Sequence, residues 1–169
     1  LRVVGEAHAL FFLQRATVIV IVAFEAGQAV HRHARADEAK AGIAEAIARI
    51  EHEQKVTAAV KKRFTGNQPD TALAQPSAGP LSSRFGLRRF FNGQPRNPHA
   101  GLDVAAGTGT PVRAPSDAVV ANTGDYFFNG NTVFLDHGQG LITAYMHLSR
   151  IDVRPGQTVR RGDLLGAIG

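Results

Sequence analysis

The 169-residue chain contains no cysteine and no tryptophan, with one methionine and two tyrosines. Without cysteine there is no disulfide framework, no thiolate metal site and no cysteine nucleophile, and compartment stays open. Long apolar runs are also lacking. The most apolar stretch, ALFFLQRATVIVIVAFEAG over residues 9–27, is broken by Gln14 and Arg15. That leaves segments well short of the ~20 residues a spanning helix needs, so no transmembrane helix is expected. The stretch also lacks the charged, apolar, small-residue order of a secretory signal. Its second half, TVIVIVAF, is instead the β-branched run of a buried strand.

What is present is globular: 44% hydrophobic and 20% charged residues, with a net charge of +5. A basic surface favours an anionic partner, with nucleic acid, anionic lipid and anionic cell-wall polymer all eligible. Nucleic acid is not expected, because no aromatic RNA-binding pattern, recognition helix or zinc finger accompanies the charge.

Four stretches follow along the chain. Residues 1–33 read as a β-rich N-terminal segment. Residues 34–64 are rich in Ala, Glu, Lys and Arg, and place Ile43, Ile47 and Ile50 on one helical face continued by Val56, Val60 and Phe64. Residues 65–79, dense in Gly, Pro, Ser, Asn and Asp, read as a linker. Over residues 80–169 short β-rich runs alternate with turns, and Asn129-Gly130 between apolar residues signals a hairpin with positive φ at both positions. The expected class is α+β, a mainly antiparallel small β-barrel or sandwich preceded by a helical segment. The chain starts at Leu1 rather than Met and stops at Gly169 within a strand-like pattern, as expected of a fragment or processed product.

In the stretch NPHAGLDVAAGTGTPVRAP, His99 stands four residues before Asp103. Residues four apart on a strand share a face, so imidazole and carboxylate can converge on one ion. On its own the pair is equally a loop histidine bonded to backbone. His147, in YMHLS, falls on an expected strand with Tyr145 on the same face. His137, in LDHGQG, reads as a turn histidine. His31 and His33 sit among Arg32 and Arg35, whose charge disfavours metal capture, and read as a solvated face. Gly107 and Gly109 lack the third glycine, helix and lysine of a phosphate loop.

Taken together, SSRFGLRRFFNGQPRNPHAGLDVAAGTGTPVRAPSDAVV, GNTVFLDHGQGLITAYMHLS and VRPGQTVRRGDLLGAIG, covering about residues 80–169, resemble the M23 (lysostaphin/LytM-type) zinc metallopeptidases that hydrolyse peptidoglycan. RRFFNGQPRNPH resembles the form in Gram-negative, envelope-located members. The resemblance implies a zinc-dependent endopeptidase cleaving peptidoglycan stem-peptide cross-links in the periplasm or cell envelope. His99 and Asp103 would be two zinc ligands and His147 the catalytic histidine. The third ligand, from the family's H-x-H motif, would fall beyond residue 169, so the chain as written is expected to bind zinc poorly and to be inactive. The family also carries a D-H-G segment outside the metal shell, which is where His137 falls. An N-terminal module that occludes or orients the catalytic domain, and an envelope regulatory protein, are further implied possibilities. The alternative is a non-catalytic LytM-like activator of a cell-wall amidase. A biotinyl or lipoyl carrier, suggested by VRPGQTVRRGDLLGAIG, is excluded because no lysine follows Lys62.

Overall fold

The computed structural model describes residues 17–23 and 36–169. The expectations for His31, His33, Gln14, Arg15 and the rest of residues 1–16 and 24–35 lie outside the described residues. The described elements are β1 (Thr17–Ala23), α1 (Ala36–Lys61), β2 (Leu81–Ser83), β3 (Arg89–Phe91), β4 (Gln94–Arg96), β5 (Gly101–Val104), β6 (Pro111–Arg113), β7 (Ala118–Tyr126), β8 (Gly130–Gly138), β9 (Leu141–Ile151), β10 (Thr158–Val159) and β11 (Leu164–Ile168).

Nine strands form one curled sheet in the order β10-β7-β8-β9-β1-β5-β2, and off this path β11 pairs with both β6 and the C-terminal part of β9. The hairpins β7–β8 and β8–β9 are antiparallel, and β3–β4 form a separate two-stranded ribbon. This is the α+β, mainly antiparallel class that the residue pattern predicts. The β-branched run TVIVIVA is a central strand whose backbone pairs in parallel with β9 on one side and β5 on the other. Among the described residues no helix is long and apolar enough to cross a membrane.

The sheet has two apolar faces. Along β8, Val133 and Leu135 enter the larger cluster with Val104, Val120, Tyr145, Leu148 and Ile168. Between them Phe134 enters a second cluster with Tyr126, Ile142, Ala144 and Val60. A strand buried on both sides reads as a continuous apolar run, which is why NTVFLDHG shows no polar alternation. Helix α1 closes the second face with part of the expected apolar stripe and stops at Lys61, leaving Phe64 outside it and 74% exposed. Val56 and Val60 pack on the sheet, whereas Ile43 and Ile47 are 58% and 51% exposed. Among the described residues the second cluster takes Val56 and Val60 from the helix and neither Ile43 nor Ile47.

The β7–β8 connection is a hairpin, as Asn129-Gly130 predicts, but Tyr126 pairs with Gly130 across a three-residue loop. Of the turn residues Gly130 alone takes a positive φ, 58°, so the left-handed position is carried by glycine and Asn129 is spared it.

Residues 65–80 contain no helix or strand, yet they are fastened along the sheet. Gln139 N–H donates to Thr65, Ala74 N–H to Pro115, Arg113 N–H to Pro76 and Ala105 N–H to Pro80. Glycine permits this close crossing at both ends: a Cβ on Gly138 would strike the Asn67 carbonyl, and one on Gly79 the Ala105 carbonyl.

Candidate functional site

His99 precedes β5 and is 4% exposed. Its backbone is held by the segment before β3, since His99 N–H donates to Leu87 O (2.9 Å) and the His99 carbonyl accepts from Gly86 N–H (2.8 Å). The same segment holds the ring. Nδ1 lies 3.0 Å from Ser83 Oγ and 3.2 Å from Arg84 O. A carbonyl can only accept, so the proton is assigned to Nδ1. Nε2 then presents its lone pair 3.2 Å from Asp103 Oδ1, itself an acceptor.

With the proton so assigned both facing atoms are acceptors, and a positive charge between or on them would join them. A proton on Nε2 would supply it as an imidazolium–carboxylate pair, and so would a cation ligated by both. Donors about 2.0–2.1 Å from one tetrahedral ion stand roughly 3.3 Å apart. The observed separation matches that span, and pinning of the other ring nitrogen by a carbonyl is the usual support of a ligating histidine. The donor pair therefore fits a zinc-type ion. Among the described residues no group of three or more His, Asp or Glu is placed to hold a metal, so the pair stands as two donors.

His147 is brought to the same region by an irregularity. In the β8–β9 ladder Asn131 pairs with Leu148 and Val133 with Tyr145, so Met146 and His147 together oppose Thr132. This is a β-bulge, and His147 is its left-handed residue at φ 56°. The bulge overturns the expectation that His147 shares a face with Tyr145. Leu148 instead joins Tyr145 in the larger core, while Met146 packs with the second cluster. His147 is half-buried, its N–H donating to Asn129 O (2.8 Å) and its carbonyl accepting from Gly169 N–H (2.9 Å). Burial pushes its imidazole below the usual pKa, against the upward pull of the Asp103 carboxylate. With β1 between them, the backbones of β5 and β9 are two strand spacings apart, roughly 10 Å.

The loop that receives the His147 N–H is gripped from outside by α1. Glu53 Oε2 accepts from Phe127 N–H (2.8 Å), and Arg49, paired with Glu53 at 2.7 Å, donates to Asp125 O at 2.7 Å. The Arg49 guanidinium lies 5.9 Å from the Phe127 ring centroid. Sequence reading missed Glu53, Arg49, Ser83 and the Arg84 and Asn129 carbonyls. Backbone acceptors leave no residue-type signal, and the Arg49–Glu53 pair looks like any i,i+4 helix pair.

His137 is buried within β8 rather than set in a turn. Nδ1 donates to Asp117 O (2.9 Å), so Nε2 accepts from Thr143 Oγ (2.9 Å), which in turn accepts from Tyr145 OH (2.8 Å). Burial lowers the His137 pKa and raises that of Tyr145. Both ring nitrogens are spent, which keeps His137 out of any metal shell. It lines a polar cleft of about 370 Å³ at the other end of β7 and β8 from His147. There Asp136 is bound by Arg63 and Asp70 by Arg161.

Comparison with known proteins identifies what this geometry accompanies. The profile of peptidase family M23 matches residues 97–169. Over 90 residues, 53% of this chain, the sequence is 42% identical to the peptidoglycan DD-endopeptidase ShyA of Vibrio cholerae, of which those residues cover 21%. Over 119 residues, 66% of this chain, it is 33% identical to an uncharacterized metalloprotease of Haemophilus influenzae, covering 25% of that protein. The chain thus spans about a fifth to a quarter of the length of these relatives. A Pseudomonas aeruginosa crystal structure described as a candidate peptidase M23 superposes with a TM-score of 0.66 at 48% identity, covering 74% of this chain and 50% of that one.

Proposed function

Because residues 97–169 form a domain of peptidase family M23, we propose that the protein is a zinc-dependent endopeptidase that cleaves peptide cross-links of bacterial peptidoglycan in the cell envelope. One observation carries the reading: His99 Nε2 and Asp103 Oδ1 face each other at 3.2 Å, with the ring's other nitrogen held by Ser83 Oγ and the Arg84 carbonyl. The peptidoglycan DD-endopeptidase named among the relatives supports the substrate class, and the metalloprotease supports a metal. The net charge of +5 suits an anionic wall.

In this reading His99 and Asp103 hold the zinc, two of the three protein donors a catalytic site takes. Bound there, zinc supplies Lewis acidity to the scissile carbonyl and to a water. The chain's own groups do the rest. Ser83 Oγ and the Arg84 carbonyl keep the His99 ring in the tautomer that turns Nε2 toward Asp103. His147, whose imidazole burial holds below its usual pKa, would take a proton from the attacking water and return it to the leaving amine. The bulge turns that ring out of the strand's alternation, and the Asn129 carbonyl and Gly169 N–H fix its backbone while it does so. An amidase activator would have no use for the retained donor pair, and nothing observed favours that alternative.

The test is zinc content and hydrolysis of purified sacculi by the full-length protein, before and after chelation and zinc return. Activity is expected to vanish and recover. Undiminished hydrolysis by His99→Ala, or after complete chelation, would sink the assignment.

A further inference from the structure

We propose that the segment from Arg84 to Arg96, which wraps His99, is a carboxylate-gripping surface for the anionic peptides of the wall polymer. It rests on the peptidoglycan reading above and adds a recognition element to it.

The first argument is charge. Residues 81–98, LSSRFGLRRFFNGQPRNP, contain Arg84, Arg88, Arg89 and Arg96 and no acidic residue. By contrast Arg49, Arg63, Arg150 and Arg161 each pair with a carboxylate. Arg84 and Arg88 are exposed, and the described residues place no carboxylate within ion-pair distance of either. The ribbon register also sets Arg89 directly opposite Arg96.

The second argument is the company those charges keep. Phe85, Leu87 and Phe90 are 71%, 56% and 66% exposed, three large apolar side chains within one short segment. Scattered exposed residues need no explanation, but a basic and aromatic cluster of this kind is a recognition surface. Guanidinium forks take carboxylates bidentately, and the neighbouring rings cover the apolar parts of the same ligand.

The third argument is place. Gly86 and Leu87 are hydrogen-bonded to the His99 backbone, and the Arg84 carbonyl holds its ring. Whatever the surface binds is therefore delivered beside the donor pair. On the His147 side the β7–β8 loop presents Phe127 and Phe128, 46% and 68% exposed, as an apolar counterpart.

The experiment is co-sedimentation of the full chain, with no metal added, on purified sacculi, either native or with their carboxyl groups converted to amides. Arg84→Gln/Arg88→Gln is expected to bind native sacculi about tenfold more weakly, a change of about 1.4 kcal/mol. Amidation should weaken the wild type by the same factor and leave the double variant unchanged. Arg154→Gln/Arg160→Gln removes the same charge at two other exposed arginines and should bind like wild type. Equal loss in that control, or wild-type binding indifferent to amidation, overturns the proposal. So does tighter binding to phosphatidylglycerol vesicles that Arg84→Gln/Arg88→Gln abolishes, which would make the occupant a lipid surface. The amidation arm uses no variant and stands even if a substitution impairs folding. Because binding is read without metal, failure of the peptidase assignment would appear separately, in zinc content and hydrolysis.

Discussion

His99 and His137 are 4% and 3% exposed, and each gives its Nδ1 proton to a backbone carbonyl. They part company at Nε2. His137 meets the Thr143 hydroxyl, which donates and closes the network; His99 meets the Asp103 carboxylate, which cannot donate. Burial and a pinned ring are thus shared by a histidine that braces the core and one that, in the proposed function, would hold a cation. The distinguishing atom is on the partner, four residues or one turn away along the chain, and not on the histidine.

The largest expected effect erases that difference. Asp103→Thr gives His99 the same hydroxyl neighbour as His137, and hydrolysis and bound zinc should both be lost while the fold persists; zinc analysis together with circular dichroism reads this. Next, His147→Ala should lower kcat by about 10²–10⁴ and leave zinc content unchanged, since it removes a proton carrier and no donor. A parallel loss of zinc would make His147 a ligand.

Breaking the closed network should act on stability alone. Thr143→Val strands His137 Nε2 and the Tyr145 hydroxyl, costing about 1–3 kcal/mol in denaturant unfolding, with hydrolysis per folded molecule unchanged. The same histidine gives a pH signature. Its folded pKa is lowered, so above the unfolded value of about 6.5 it costs nothing, and below it the unfolded chain takes up a proton that the native state refuses. Stability should therefore fall as pH drops from about 6.5 toward the lower folded value. His137→Gln should flatten that slope, leaving the share of His147, whose shift has the same sign.

The smallest effect concerns the grip of α1 on the hairpin. Glu53→Gln keeps the shape but weakens a partly exposed ionic clamp, a loss of about 0.2–1 kcal/mol. Amide exchange should quicken by a few fold at about two sites, Phe127 first and His147 next, because Asn129 passes the loosened position on. Unchanged protection at His147 would separate the helix from the site.

Much of this was legible from residue order. The helix announced itself through Ala, Glu and Lys content, the hairpin through Asn129-Gly130, and the approach of His99 to Asp103 through their spacing. Three features were hidden for physical reasons. The bulge at His147 depends on how β9 is paired with β8, which strict alternation along one strand cannot reveal. The exposure of Ile43 and Ile47 depends on where the sheet ends and not on the helix's own periodicity. Nor does TVIVIVA carry any mark that it would lie parallel between β5 and β9, since a β-branched run specifies a strand and leaves its neighbours open.

The strap over residues 65–80 has a consequence for taking the molecule apart. A stretch rich in Gly, Pro and Ser invites a protease, yet here its carbonyls at Thr65, Pro76 and Pro80 are each committed to a strand or its adjoining turn. Side chains on Gly79 and Gly138 would pry it loose. Limited digestion should therefore nick the exposed β3–β4 ribbon before it parts α1 from the sheet, and a cut made by design at residue 78 would take away a wall along with the tether.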